Sequence, residues 1–151
     1  MFRWLMIYAA VAAFGPPVRA DVVGAPAVVN GDTLRFDKEH VKLFGIDAPE
    51  SAQTCVRQGL AWPCGQAAQD HLWELVAGEY LSCVEREQDQ NGMTISLCTL
   101  ADGRDLGELM VESGLARADR AAAGSIYDAA EHAAQQAKRG LWAGDSAASV
   151  P

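Results

Sequence analysis

Short apolar runs broken by turn residues open the chain, and longer runs at helical spacing follow them. Residues 21–29 are rich in valine and alanine, 33–36 alternate, and 41–46 are apolar with Lys42 interrupting them. Asn30-Gly31 and Asp37-Lys38-Glu39 lie between these runs and favour turns, so the stretch predicts a three-stranded meander. From 65 to 77, Ala68, Leu72, Leu75 and Val76 recur on one helical face and Gly78 stops the run, which predicts a first helix. Residues 80–87 and 94–100 read as two strands on either side of Asp89-Gln90-Asn91-Gly92. A second helix is expected over 105–113, with Asp105 as N-cap, Leu106, Leu109 and Met110 inward and Gly114 as the stop. Alanine dominates 124–139, which predicts a third helix on propensity, ended by Gly140 so that Leu141 and Trp142 fold back onto the body. There are no internal repeats, and on pattern alone this is a small α+β domain.

The first twenty residues change the picture of where the domain begins. Arg3 precedes an apolar run from Trp4 to Phe14 and the segment closes on Val18-Arg19-Ala20, the form of a secretory signal peptide cleaved after Ala20. A run of about eleven apolar residues is too short to span a bilayer. The expected organisation is a signal peptide over 1–20, one domain over 21–143 and a flexible tail over 144–151, in a periplasmic or secreted protein. Removing the signal takes away Arg3 and Arg19 and no acid, leaving ten basic against twenty acidic residues and a net charge of −10. That sign is wrong for a dedicated polyanion binder, which draws affinity from neutralised phosphates. A local positive groove on an acidic surface remains compatible with weak nucleic-acid binding.

Four cysteines, Cys55, Cys64, Cys83 and Cys98, lie in the exported part, and an even number in a secreted chain suggests disulfides. Antiparallel register about the Asp89-Gln90-Asn91-Gly92 turn sets Cys83 opposite Cys98, and the other pair is then Cys55 with Cys64. A zinc site lacks both C-x-x-C spacing and a neighbouring histidine. His40, His71 and His132 have no partner at metal spacing and read as surface or turn residues, and Ser51 and Ser125 lack a recognisable base.

The candidate chemistry sits in the first meander. Asp32 and Asp47 each stand at the edge of a tight turn, in Asn30-Gly31-Asp32-Thr33 and Asp47-Ala48-Pro49-Glu50. The Asn-Gly step tolerates positive φ and the Ala-Pro step fixes the chain after the second acid, so a short hairpin brings Asp32, Asp47 and Glu50 toward one hard cation. With this order of parts, and Arg139-Gly140-Leu141-Trp142 near the C-terminus, the chain resembles the staphylococcal-nuclease (thermonuclease) family over roughly residues 26–143. The resemblance implies a five-stranded OB-like β-barrel with three helices. It also implies that Asp32, Asp47 and the Ala48 carbonyl hold Ca²⁺, while Glu50 acts as base or positions the attacking water.

Against the family pattern three places have drifted. Its first turn reads D-G-D-T where this chain has Asn30, the arginine five residues before the second acid is Lys42, and its Y-G-R hairpin tip is Asn91-Gly92-Met93. Two guanidiniums of the family grip phosphate with forked geometry; Lys42 supplies charge without the fork and Met93 supplies neither. Loss of one such arginine in phosphoryl transfer costs on the order of 10³–10⁵ in rate. Arg35 points to the opposite strand face from Asp32, which leaves Arg86 and Arg120 as substitutes. The base-stacking tyrosines fall at Asn91, Arg120 and Ala122, and Trp62, Trp73 and Trp142 read as packing residues. The expectation is an exported nuclease-like domain, monomeric, binding Ca²⁺ weakly, with weak or no Ca²⁺-dependent phosphodiesterase activity on DNA or RNA. The alternative is a non-catalytic cell-envelope accessory with a glycan or protein partner, as in exopolysaccharide (succinoglycan-type) biosynthesis, to which some secreted proteins resembling this family are assigned.

Overall fold

Residues 21–144 are described in a computed structural model of the protein; the expected signal peptide over 1–20 and the expected tail from 145 on lie outside them. The chain runs β1 (Val22–Gly24), β2 (Ala27–Asn30), β3 (Thr33–Phe36), β4 (Glu39–Leu43), β5 (Ile46–Asp47), β6 (Cys55–Arg57), β7 (Leu60–Trp62) and α1 (Cys64–Val76). There follow β8 (Leu81–Gln88), β9 (Thr94–Thr99), α2 (Leu106–Glu112), β10 (Arg117–Ala118), α3 (Arg120–Ala123), α4 (Asp128–Gln136) and a 3₁₀ turn at Gly140–Trp142. Six strands form one mixed sheet in the order β1-β8-β9-β4-β3-β2, curled into an OB-like half-barrel, and every pairing is antiparallel except β4 with β9. No described helix is long and apolar enough to cross a membrane.

The meander β2-β3-β4 and the β8-β9 hairpin stand where the pattern put them, and the class is α+β as expected. Two of the expected strands divide. Pro26 lacks an amide donor and breaks the first into β1, which pairs with β8, and β2, which pairs with β3. The 41–46 run leaves the sheet after Leu43, and β5 pairs separately with β10. The third helix is also two pieces. Asp119 caps α3 by accepting from the Ala121 and Ala122 amides, Gly124 ends it at φ +60, and α4 begins only at Asp128. Among the described residues four helices therefore replace three, because alanine propensity is blind to a cap and to a stop. A β6-β7 hairpin, closed by Cys55–Cys64, was not legible.

Both disulfides are those expected from register. Cys83 and Cys98 are directly paired across β8 and β9 at a Cα separation of 4.0 Å, and Cys55 and Cys64 are bonded at 5.6 Å. The core is filled by Leu34, Val41, Leu43, Leu81, Leu106, Met110 and Val111, with Leu72 and Ala68 of α1 against it. Gly31 makes the fit of α1 behind the first turn possible. A Cβ there would stand 2.6 Å from the Ala68 Cβ and 2.9 Å from the Ala48 Cβ, too close for either to tolerate. Tyr127, buried at the start of α4, donates to Asp105 Oδ2 at 2.8 Å, while the other oxygen of Asp105 caps α2. Burial and then the Asp105 carboxylate push the Tyr127 phenol well above its ordinary value.

Candidate functional site

The β2-β3 turn and the chain after β5 bring Asp32, Asp47, Glu50 and Lys42 to one side of the half-barrel. Asn30 tightens the turn by accepting from the Asp32 amide at 3.1 Å. Its Nδ2 donates to Glu50 Oε2 at 3.3 Å, so a single amide ties the Asp32 backbone to the Glu50 carboxylate. A second acid in place of Asn30 would face Glu50 with like charge.

Asp32 is 3% exposed. Its Oδ1 accepts from Thr33 Oγ1 at 2.9 Å, and its Oδ2 accepts from the Ala48 amide at 3.3 Å and pairs with Lys42 Nζ at 3.4 Å. Lys42 projects from β4, held in place by register with Thr33 and Ile95. Burial works against its charge, but Asp32, Asp47 and Glu50 outweigh that and raise its pKa. One ammonium thus feels all three acids of the candidate set. The Asp47 carboxyl is pushed up by burial first; Lys42 and Arg117 pull it down, and Asp32 and Asp119 push it further up.

Glu50 is exposed at the rim, and its backbone is fixed. Gln53 donates its amide to the Glu50 carbonyl at 2.7 Å, accepts from the Glu50 amide through Oε1 at 3.2 Å, and accepts from the Gly65 amide at 3.1 Å. The Glu50 turn is thereby bolted to the N-terminus of α1, where a Cβ on Gly65 would overlap the Glu50 carbonyl. The Cys55–Cys64 bond closes the same loop from the other side.

A cleft of about 300 Å³ opens beside this cluster. Ile46 and Ile95 floor it, and Lys42 faces Asp47, Glu87, Asp89 and Asp119 around it. Four carboxylates against one ammonium is a poor lining for a polyanion. Met93 does not line that cleft; it borders a separate hollow of about 450 Å³ with Lys38, Glu39, His40 and Asn91. Arg120 is committed elsewhere, with Nη2 2.8 Å from the buried Glu131 and Nε 2.8 Å from Asp128, which removes it as a substitute for the missing guanidinium. Arg86 lies within electrostatic reach of Tyr127 and is not part of the cleft lining, and Arg35 is exposed on β3.

A matching family model covers residues 40–144, as "Staphylococcal nuclease homologue". The chain belongs to that family. Among curated relatives of this nuclease-homologue domain, "Succinoglycan biosynthesis protein ExoI" of Rhizobium meliloti (strain 1021) is 30% identical over 123 residues, 80% of this chain and 64% of that protein. An "Uncharacterized endonuclease" of Escherichia coli O157:H7 is 27% identical over 133 residues, 84% of this chain and 81% of that one. The chain thus spans less than two thirds of the length of the first.

Within the family fold, one guanidinium escaped the sequence reading. Arg117 of β10 lies opposite Asp47 of β5 and stacks over the Trp142 ring at 4.9 Å, so Trp142 closes the domain and orients a cation beside the acids. The alternation of Leu115-Ala116-Arg117-Ala118 was the available signal. Trp62 packs under Arg57 at 4.6 Å, whereas Trp73, expected to pack, is 61% exposed on α1. His40 and His132 are exposed as expected, and His71 is half-buried on α1 near Glu74.

Among the described residues no three His, Cys, Asp or Glu side chains converge as a metal cage. The expected donors, Asp32, Asp47 and the Ala48 carbonyl, are hard oxygens of the kind Ca²⁺ takes and are too few to enclose it without water or substrate.

Proposed function

We propose that the chain is an exported nuclease-fold protein in which Asp32, Asp47 and the Ala48 carbonyl hold Ca²⁺ weakly and Glu50 handles the attacking water, with phosphodiester hydrolysis of DNA or RNA slow or absent. The observation that carries this reading is the coupling of one ammonium, that of Lys42, to Asp32, Asp47 and Glu50 together. When bound, the cation would polarise the phosphoryl oxygen and lower the pKa of a water. Glu50, tied through Asn30 to the Asp32 turn, would accept that water's proton. Among the described residues Lys42 is the one cation lining the cleft, and it offers a point charge where forked donors would best meet the charge of the transition state. The test is hydrolysis of single-stranded DNA and RNA by the oxidised protein, with Ca²⁺ and with chelator. Slow turnover that needs Ca²⁺ and disappears in Glu50→Gln supports the reading; turnover that survives Glu50→Gln overturns the role of Glu50.

A second reading has its own support. The acidic cleft and the likeness to a succinoglycan biosynthesis protein favour a non-catalytic accessory of the cell envelope, with a glycan or protein partner. Absence of both turnover and Ca²⁺ binding, with the fold intact, selects it.

A further inference from the structure

The carboxylate of Asp32 is satisfied entirely from within the chain. A hydroxyl holds one oxygen, and an amide and an ammonium share the other, in a side chain that water barely reaches. A divalent cation that takes Asp32 Oδ2 meets the oxygen against which Lys42 Nζ already rests at 3.4 Å, and one that takes Oδ1 still lies a carboxylate's width from that ammonium. Two cations on one carboxylate repel strongly where water is scarce. The lysine is the one able to move, because its side chain is 35% exposed and a four-carbon stem lets the ammonium swing toward solvent while its methylenes stay packed. Asp32 cannot follow it, since Thr33, Ala48 and the bond from the Leu43 amide to its own carbonyl at 2.8 Å keep it in place.

We infer that Lys42 is a tethered counter-ion that competes with Ca²⁺ for Asp32, so that the cation binds only by displacing the ammonium. The inference rests on the reading of Asp32 and Asp47 as Ca²⁺ ligands and adds what limits their affinity. The folded site then has no need of metal, since the chain supplies the positive charge that the buried carboxylate requires. Displacement also has a destination. Lys42 lines the acidic cleft, so an ammonium released from Asp32 turns toward whatever ligand the cleft holds.

Calorimetric titration of the oxidised protein with Ca²⁺ decides it. Lys42→Gln is expected to bind Ca²⁺ at least tenfold more tightly than wild type, and adding Asp47→Asn to Lys42→Gln is expected to remove the gain. Equal affinity in wild type and Lys42→Gln, with binding still lost on Asp47→Asn, overturns the competition and leaves the Ca²⁺ site standing. Absence of binding in every variant overturns both. A measurement on wild type covers the case in which Lys42→Gln fails to fold. Ca²⁺ is expected to raise the rate at which an amine-specific reagent labels Lys42, with exposed Lys38 unchanged as the internal control; a rate that stays level or falls with Ca²⁺ overturns the displacement.

Discussion

The two halves of the candidate site are built differently. The acidic half, from Asn30 to Glu50, is assembled from a tight turn, a short hairpin and a loop bolted to α1, with Asn30, Asp32, Lys42 and Glu50 paired to neighbours. The half that would grip phosphate depends on the tip of the β8-β9 hairpin and on residues 117–122, which come from distant parts of the chain. There Met93 faces a different hollow and Arg120 is spent on Glu131 and Asp128. The contrast shows that a cluster of acids can persist as a unit of local structure. A phosphate clamp needs several long side chains aimed at one point, and each can be lost without disturbing the barrel.

The most drastic way to break this contrast is to rebuild the clamp. Lys42→Arg with Met93→Arg is expected to raise Ca²⁺-dependent DNA hydrolysis by on the order of 10³, the scale set by catalytic arginines in phosphoryl transfer, and Glu50→Gln on that background to remove the gain. Single-turnover assays on folded protein measure it. An unchanged rate would mean that the placement of residue 93 in its own hollow, rather than its chemistry, is the defect.

The disulfides sharpen the comparison through stability. Cys83–Cys98 lies in the core of the sheet, and replacing both by alanine should cost about 3 kcal/mol in urea unfolding, on the chain-entropy estimate for a loop of this length. Replacing Cys55 and Cys64 should instead leave the β8-β9 sheet intact and loosen the turn that carries Glu50, seen as faster amide exchange at Gln53 and Gly65.

The smallest expected effect concerns Asp47. Its pKa is raised in the folded chain, so the folded state holds the proton more tightly than the unfolded state does. Stability therefore falls as pH rises from the ordinary value near 3.8 through the raised one. Asp47→Asn should remove this dependence and raise Tm at neutral pH, by no more than about 4 °C for so exposed a group. A Tm below wild type at pH 7 would show that Lys42 and Arg117 stabilise the ionised carboxylate more than burial penalises it.

What the sequence made legible follows the same division. The turn at Asn30-Gly31 and the register that pairs Cys83 with Cys98 are local signals that the structure carries. Neither Asn30 nor Gly31 takes a positive φ, however: the Asn30 side chain makes the turn, and Gly31 is there for its close approach to Ala68 and Ala48. The bond from Asn30 to Glu50 was hidden, because the substitution of an acid by an amide reads as lost charge until the partner twenty residues away is in view. The role of Arg117 was hidden for a related reason, since only the pairing of β10 with β5 sets it across from Asp47. The split of the last helix was missed where a left-handed glycine at 124 outweighed the alanines around it.

The single parallel pairing has a kinetic meaning. Val41 of β4 lies beside Thr94 of β9, and Lys42 beside Ile95, so barrel closure joins segments separated by some fifty residues of chain. Closing so long a loop carries an entropic cost that hairpins avoid, and contacts of this kind slow folding. The β8-β9 hairpin and its disulfide need no such closure and are free to form ahead of it. Lys42 meets Ile95 and Glu87 across the cleft only when the β4-β9 seam is shut, so a form of the chain with that seam open lacks the cleft, however much sheet it has already made.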